Sequence, residues 1–181
     1  ELLPSLVHTD HIGGGYWGGA MTIGKTKIKS MCIEIVDSPH LPDDLQGDFL
    51  IAGYFARNIA RLRPSVDGAG HKLKTLAPLL TSTHSAFRPV DLNVGPDGAI
   101  YVADWFNPII GHYQASFRHP DRDKKRGRIW RISARGRPLD KPPALATMTA
   151  AELCKQLAAP TRWVSQQAKL RLMDLPKAET L

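Results

Sequence analysis

Polar and apolar residues alternate most clearly between Phe87 and Ile132, and three strands with their connections follow from that stretch. Pro89–Val94 sets Val90, Leu92 and Val94 against Asp91 and Asn93, the period of two expected of a half-buried strand. Gly95-Pro96-Asp97-Gly98 reads as a tight turn, because Pro presets φ at the second position and Gly supplies φ > 0 at the end. Ala99–Trp105 is a β-branched and aromatic run, so the two strands predict an antiparallel hairpin. Gly127–Ser133 alternates Ile129 and Ile132 with Arg128 and Arg131 and predicts a third strand. Phe106–Arg126, polar and aromatic, lies between the second and third strands and is where function is expected.

Upstream, the same reading predicts strands over Ala20–Ile23, Ile28–Val36, Gly47–Phe55, Ile59–Arg63 and Lys72–Leu80. The segment from Asp37 to Asp44, with Pro39 and Pro42, is loop punctuation, and Asp67-Gly68-Ala69-Gly70 is a turn. Downstream, the prolines between Pro138 and Ala146 predict an extended linker. Thr149-Ala150-Ala151-Glu152 is a capping-box pattern, predicting a helix that buries Leu153 and Leu157 and stops before Pro160. Thr161 opens a second helix, with Trp163, Val164, Ala168, Leu170 and Leu172 available for its apolar face.

A repeat links the two halves of the strand region. Asp48–Phe55 matches Ala99–Phe106 in hydrophobic pattern 51 residues on, and Asn58–Leu62 matches Arg128–Ile132 70 residues on. The second unit therefore carries an insertion where the first has a tight connection. Repeating all-β units of this size predict a mainly β fold, a partial β-propeller built of four-stranded antiparallel sheets, followed by a short α-helical hairpin. The expected organisation is propeller blades over 1–137, a linker over 138–147 and the start of a helical repeat over 148–181. A sandwich with two similar hairpins is the alternative.

Composition narrows the choice little: 43% hydrophobic and 23% charged residues describe an ordinary globular chain. No apolar run approaches the roughly 20 residues needed to span a bilayer. The chain opens Glu1-Leu2-Leu3-Pro4, without an initiator Met or a signal-peptide pattern, so a piece of something longer or a processed chain is expected. Cys32 and Cys154 stand in no metal or haem spacing, and each reads as a small buried hydrophobe rather than half of a disulfide. The net charge of +7 is local, since Arg118 to Arg137 holds nine Lys/Arg against two Asp. Without a recognition helix or an RNA-binding aromatic motif, a solvated basic face is favoured over nucleic-acid binding.

The core stretch, with GGGYWGGAMTIGKTKIKSMCIEIVDSPHLP and GDFLIAGYFARNIARL, resembles a known family. It is similar to the bacterial membrane-bound dehydrogenase group, also called PVC-type haem-binding CxxCH proteins. The most specific parts are FRPVDLNVGPDGAIYVADW and NPIIGHYQASFRHPDRD, and the likeness covers nearly all of the chain. The resemblance implies a propeller related to soluble quinoprotein sugar dehydrogenases, then HEAT-like repeats beginning at Met148–Leu172. It also implies a periplasmic or cell-envelope location and a haem on a domain absent from this chain. Two departures stand out: no CxxCH occurs here, and Lys125-Arg126-Gly127-Arg128 replaces the His-Gly-Arg common in relatives.

On that reading the chain is a fragment of an exported protein that oxidises a carbohydrate or alcohol and passes electrons to the haem domain. Such a reaction needs a base for the hydroxyl proton, and His112 or His11 suits it. His11 lies with His8 and Asp10 before a segment holding five glycines in seven positions; ligation, proton transfer and a plain turn-rich loop all remain open there. Arg88 or Arg118 would stabilise an anionic quinone or substrate, and Asp91, Asp104 and Asn107 complete the binding candidates. Carboxylates and carbonyls would suit Ca²⁺, although no metal ligand is assigned. Against these roles stand structural ones: Asp104 capping a strand, Asp91 paired with Arg88, His112 bonded to a loop carbonyl, and Tyr101, Trp105 and Trp130 packed between blades. A non-enzymatic propeller and helical scaffold that binds glycans or proteins is the alternative function.

Overall fold

A computed structural model describes residues 22–23, 26–27, 31–110 and 118–176 of the chain. By contacts the chain divides into two units, one of residues 1–35, 47–93 and 101–130, the other of 36–46, 94–100 and 131–181. The fold is mainly β, with antiparallel sheets followed by two helices.

In the first unit, β1 (Thr22–Ile23) and β2 (Thr26–Lys27) pair antiparallel. A four-stranded sheet follows from β3 (Ile33–Ile35), β4 (Phe49–Gly53), β5 (Asn58–Asp67) and β6 (Gly70–Thr81), joined in the order of the sequence. Of the strand expected over Ile28–Val36, the described residues contain β3 alone. Every residue of β4 is buried, which accounts for its unbroken apolar run. Phe49 and Ile51 pack on Ala60 and Leu62 of β5, with Ile35 and Leu73 at the margin. The intervening β5 residues, Arg61 and Arg63, point the other way and hold the buried Asp48 carboxylate between them.

Proline shapes the long β5–β6 hairpin. Ile59 pairs with Leu80 and Arg61 with Leu76, so Ala60 faces three residues centred on Pro78. Pro78 has no N–H to give to a ladder, and the register slips around it. Beyond Leu62, β5 runs past the end of β4, and this outer part of the hairpin is largely exposed. The turn closes at Gly68, where φ is +59°.

A second sheet contains β7 (Pro89–Val94), β8 (Ile100–Asp104) and β9 (Arg128–Ile132), again in sequence order. The Gly95–Gly98 turn forms as expected: Gly98 donates to the Gly95 carbonyl at 3.0 Å and adopts φ +78°. The expected packing of Trp105 and Trp130 differs in the structure, where they are 44% and 43% exposed. Among the described residues, Trp130 lies on the outermost strand of this sheet, and Trp105 follows the end of β8, so neither is enclosed on both sides there.

In the second unit, α1 (Ala150–Gln156) starts with the expected capping box, Glu152 accepting from the Thr149 N–H at 2.8 Å. Leu153 is buried, but Leu157 lies past the helix end and is 46% exposed. α2 (Arg162–Asp174) buries Val164 and Ala168 against Leu145 and Leu153, with Trp163 and Leu172 packed alongside. Leu170 falls off that stripe and is exposed. Thr161 occupies the N-cap position of α2 without a side-chain bond; the Asp37 carboxylate accepts from the Arg162 N–H at 2.9 Å instead. No helix among the described residues is long and apolar enough to cross a membrane.

Candidate functional site

The chain enters β7 through Arg88 and leaves β8 through Asp104, which places these two residues side by side on antiparallel strands. Asp104 ends a strand with both carboxylate oxygens turned to N–H donors. Its Oδ1 accepts from the backbone of Arg88 at 2.8 Å and of Phe106 at 2.9 Å, and its Oδ2 accepts from Trp130 Nε1 at 3.0 Å. Arg88 is buried, and its guanidinium donates to three carbonyls: Asn107 at 3.1 Å, Tyr54 at 3.0 Å and Pro108 at 3.4 Å. Burial, with Arg57 nearby, pulls the Arg88 pKa below its ordinary value, while Asp104 opposes the change. A guanidinium nonetheless stays charged. The Arg88 charge thus meets backbone carbonyls, and the Asp104 charge meets two backbone N–H groups and the Trp130 indole N–H.

Around this pair the chain makes a sharp exit. Phe106 adopts φ +51°, which is uncommon for a residue with a bulky side chain. The Arg128 guanidinium covers its ring at 3.5 Å from the centroid and lies 5.7 Å from that of Trp130, within cation–π range. His84 stacks at 5.4 Å from Phe106. Asn107 Oδ1 accepts from the Ile109 N–H at 3.0 Å, an Asx-type turn that sets the start of the long segment toward 118.

Arg88, Asp104 and Asn107 therefore converge, each engaged in holding the backbone. Asp91 is exposed on β7, where it accepts from the Leu92 N–H at 2.9 Å and from Asn93 Nδ2 at 3.3 Å. It forms no pair with Arg88, whose donors go to carbonyls. Near Asp91, burial pushes the Cys32 thiol up to about 11, with the carboxylate adding to the effect. Both cysteines are free. Arg118 is exposed. His11 and His112 lie outside the described residues.

The second unit contains a polar cluster that sequence reading did not single out. Ser38 is buried, donates to the Gly98 carbonyl at 2.9 Å and lies 3.3 Å from Asp140 Oδ2. His40, also buried, places Nδ1 at 2.8 Å from the Pro138 carbonyl, while Nε2 accepts from the Ala134 N–H at 3.0 Å. That pair of contacts fixes the tautomer with the proton on Nδ1. Ser, His and Asp are the residue types of nucleophilic catalysis, but here the imidazole faces backbone groups and not the hydroxyl. The cluster secures the Gly95–Gly98 turn. Asp140 also borders an open cleft of about 200 Å³ lined by Val94, Pro142, Pro143, Trp163 and Val164.

No cluster of three or more His, Cys, Asp or Glu able to hold a metal ion occurs among the described residues. The Asp104 and Asn107 oxygens already accept N–H groups and so do not make a ready Ca²⁺ shell. The hidden partners of this site could be read only in part from sequence: the repeat set Asp48–Phe55 against Ala99–Phe106, but nothing local marks the Tyr54 carbonyl as an acceptor from Arg88 or Trp130 as the donor to Asp104.

The fold and site define a chain of sequential antiparallel sheets with a helical pair, in which a buried arginine and a strand-end aspartate organise the exit of the chain from β8. Residues 25–136 match a family described as a domain of unknown function (DUF7133), and the chain belongs to that family. No curated protein and no solved structure matches it.

Proposed function

We propose that the chain supplies consecutive blades of a β-propeller and the first unit of a HEAT-like helical repeat in an exported, dehydrogenase-like protein. The observation that carries this reading is the order of the strands. β3-β4-β5-β6 and then β7-β8-β9 are each laid down in sequence order, the up-and-down pattern of a propeller blade. The likeness to the membrane-bound dehydrogenase group extends the proposal to oxidation of a carbohydrate or alcohol. His112 or His11 would take the hydroxyl proton, and Arg88, Asp104 and Asn107 act at one remove by fixing where the loop bearing His112 begins. A quinone would accept the hydride, and electrons would pass to a haem domain outside this chain.

Intact protein, supplied with quinone, Ca²⁺ and an artificial electron acceptor, should turn over at least one member of a panel of sugars and alcohols. His112→Ala or His11→Ala should abolish that turnover. A complete absence of turnover across the panel would reject the enzyme reading. A structure of the intact protein with the two sheets packed face to face as a sandwich would reject the blades.

One observation favours the second reading, a non-enzymatic scaffold for glycans or proteins: the polar groups of Arg88, Asp104 and Asn107 are committed to the fold. On that reading, ligand binding survives both histidine substitutions and no redox activity accompanies it.

A further inference from the structure

We propose that the outer edge of β9 takes up an extended segment of an acidic partner polypeptide as an added antiparallel strand. The inference rests on the internal repeat and the sheet order, and is independent of any redox role. The repeat sets β8 against β4 and β9 against β5. In the first sheet β6 lies outside β5; outside β9, among the described residues, no strand is present. Among the described residues, the place that β6 fills in one sheet is open in the other.

The two outer strands also differ in how their edges are guarded. Natural edge strands resist unwanted pairing through proline, bulges and inward charge. β6 carries Pro78, a slipped register and Lys72 and Lys74 along its length. β9, Arg-Ile-Trp-Arg-Ile, holds neither proline nor glycine; its charges are Arg128 and an Arg131 paired with Asp97, and its Ile129 is 77% exposed. Such an edge offers backbone N–H and C=O groups for strand addition.

Charge selects the occupant. Arg128 is exposed on the strand, and Lys124 and Lys125 are exposed just before it. Arg126, Arg131 and Arg137 are ion-paired with Asp123, Asp97 and Asp43, but Arg128, Lys124 and Lys125 would still oppose pairing of this edge with its own copy, because like charges would be brought together. A strand with carboxylates at alternate positions meets the arginine and lysines instead.

The test uses the whole chain and three end-blocked twelve-residue peptides. One alternates Glu and Thr, one alternates Lys and Thr, and the third is the Glu–Thr peptide N-methylated at every residue, which blocks both edges. The Glu–Thr peptide should bind and slow amide exchange along β9 about tenfold or more, with the Lys–Thr peptide binding at least about tenfold more weakly. N-methylation keeps the charge and removes the N–H donors, and it should weaken binding by a similar factor. Arg128→Glu should also weaken it, and the Lys124→Glu, Lys125→Glu double variant supplies the same comparison on a loop should Arg128→Glu fail to fold. Equal binding of the N-methylated peptide would reduce the contact to charge alone and overturn the proposal. Protection of the β9 amides without peptide would overturn it too: in a monomer the edge is already covered, and in a dimer by sedimentation the occupant is a second copy.

Discussion

Asp48 shows how a single buried charge is made compatible with the first unit's core. Arg61 and Arg63 sit two residues apart on β5, so both guanidinium groups reach the carboxylate from the same face. Burial alone would raise its pKa, but hydrogen bonds and charge from the two arginines outweigh burial and hold it below the usual carboxylate value of 3.8. A depressed folded-state pKa contributes stability above the unfolded-state value, and that contribution is lost as pH falls through the folded value. Asp48→Asn should therefore cost about 3 kcal/mol near neutral pH, since it strands two arginines against an amide. The gap between variant and parent should narrow in denaturant melts run below about pH 4. A constant gap from pH 7 to pH 2 would show that the carboxylate's charge contributes nothing. Gly98 is constrained sterically rather than electrically. At φ +78°, an added Cβ would lie 2.5 Å from both Ser38 Oγ and Asp140 Oδ2 and 2.7 Å from His40 Cβ. Gly98→Ala should cost about 3 kcal/mol in the same melts, combining left-handed strain with the clash. A loss under about 1 kcal/mol would mean that the Ser38–Asp140 cluster yields readily.

Elements are secured by partners near and far in sequence, and that distance decided what could be read from the sequence. The capping box at Thr149 is local, as is the Gly95–Gly98 turn, and both were legible because their signals span four residues. The cap of α2 is not local. Asp37 lies 125 residues before Arg162 yet accepts its N–H, leaving Thr161 at the N-cap position without a side-chain bond. Asp37→Ala should accordingly destabilise the second unit by about 1 kcal/mol, and Thr161→Ala by only a few tenths, as read by thermal melting. The reverse order would return the cap to Thr161. The same logic covers the candidate site. Alternation placed Arg88 and Asp104 at strand ends, but which carbonyls receive the guanidinium, and which indole reaches Asp104, depend on residues 34 and 26 positions away. His40 illustrates the limit, because nothing in a loop of prolines and aspartates foretells a buried imidazole bridging Pro138 and Ala134. The general β character was legible because a period of two repeats over many residues.

Across the molecule, stability should fall outward along the longest hairpin. Phe49, Ile51, Ala60 and Leu62 form the buried cluster where β4 and β5 pair, and Arg61 there is clamped to Asp48. Past Leu62, among the described residues, β5 keeps only β6 as a paired strand, and Val66 is 80% exposed. A two-stranded ribbon without a buried face is marginal in water, so its hydrogen bonds should open without unfolding the sheet. Ladder amides between Ser65 and Lys72 should then exchange at least about a hundredfold faster than those of Ile51 and Leu62, measured residue by residue at a single pH. Adding denaturant should accelerate the inner set, which needs extensive unfolding, far more than the outer set. Uniform protection along the hairpin would require something to cover the ribbon's faces. In the proposed ring of blades that cover would come from a neighbouring sheet, so the gradient's presence in this chain and its disappearance in a longer chain that closes the ring would together bear on the blade arrangement. A gradient of equal steepness in both would leave the outer ribbon as a free arm and count against an enclosing ring at that edge.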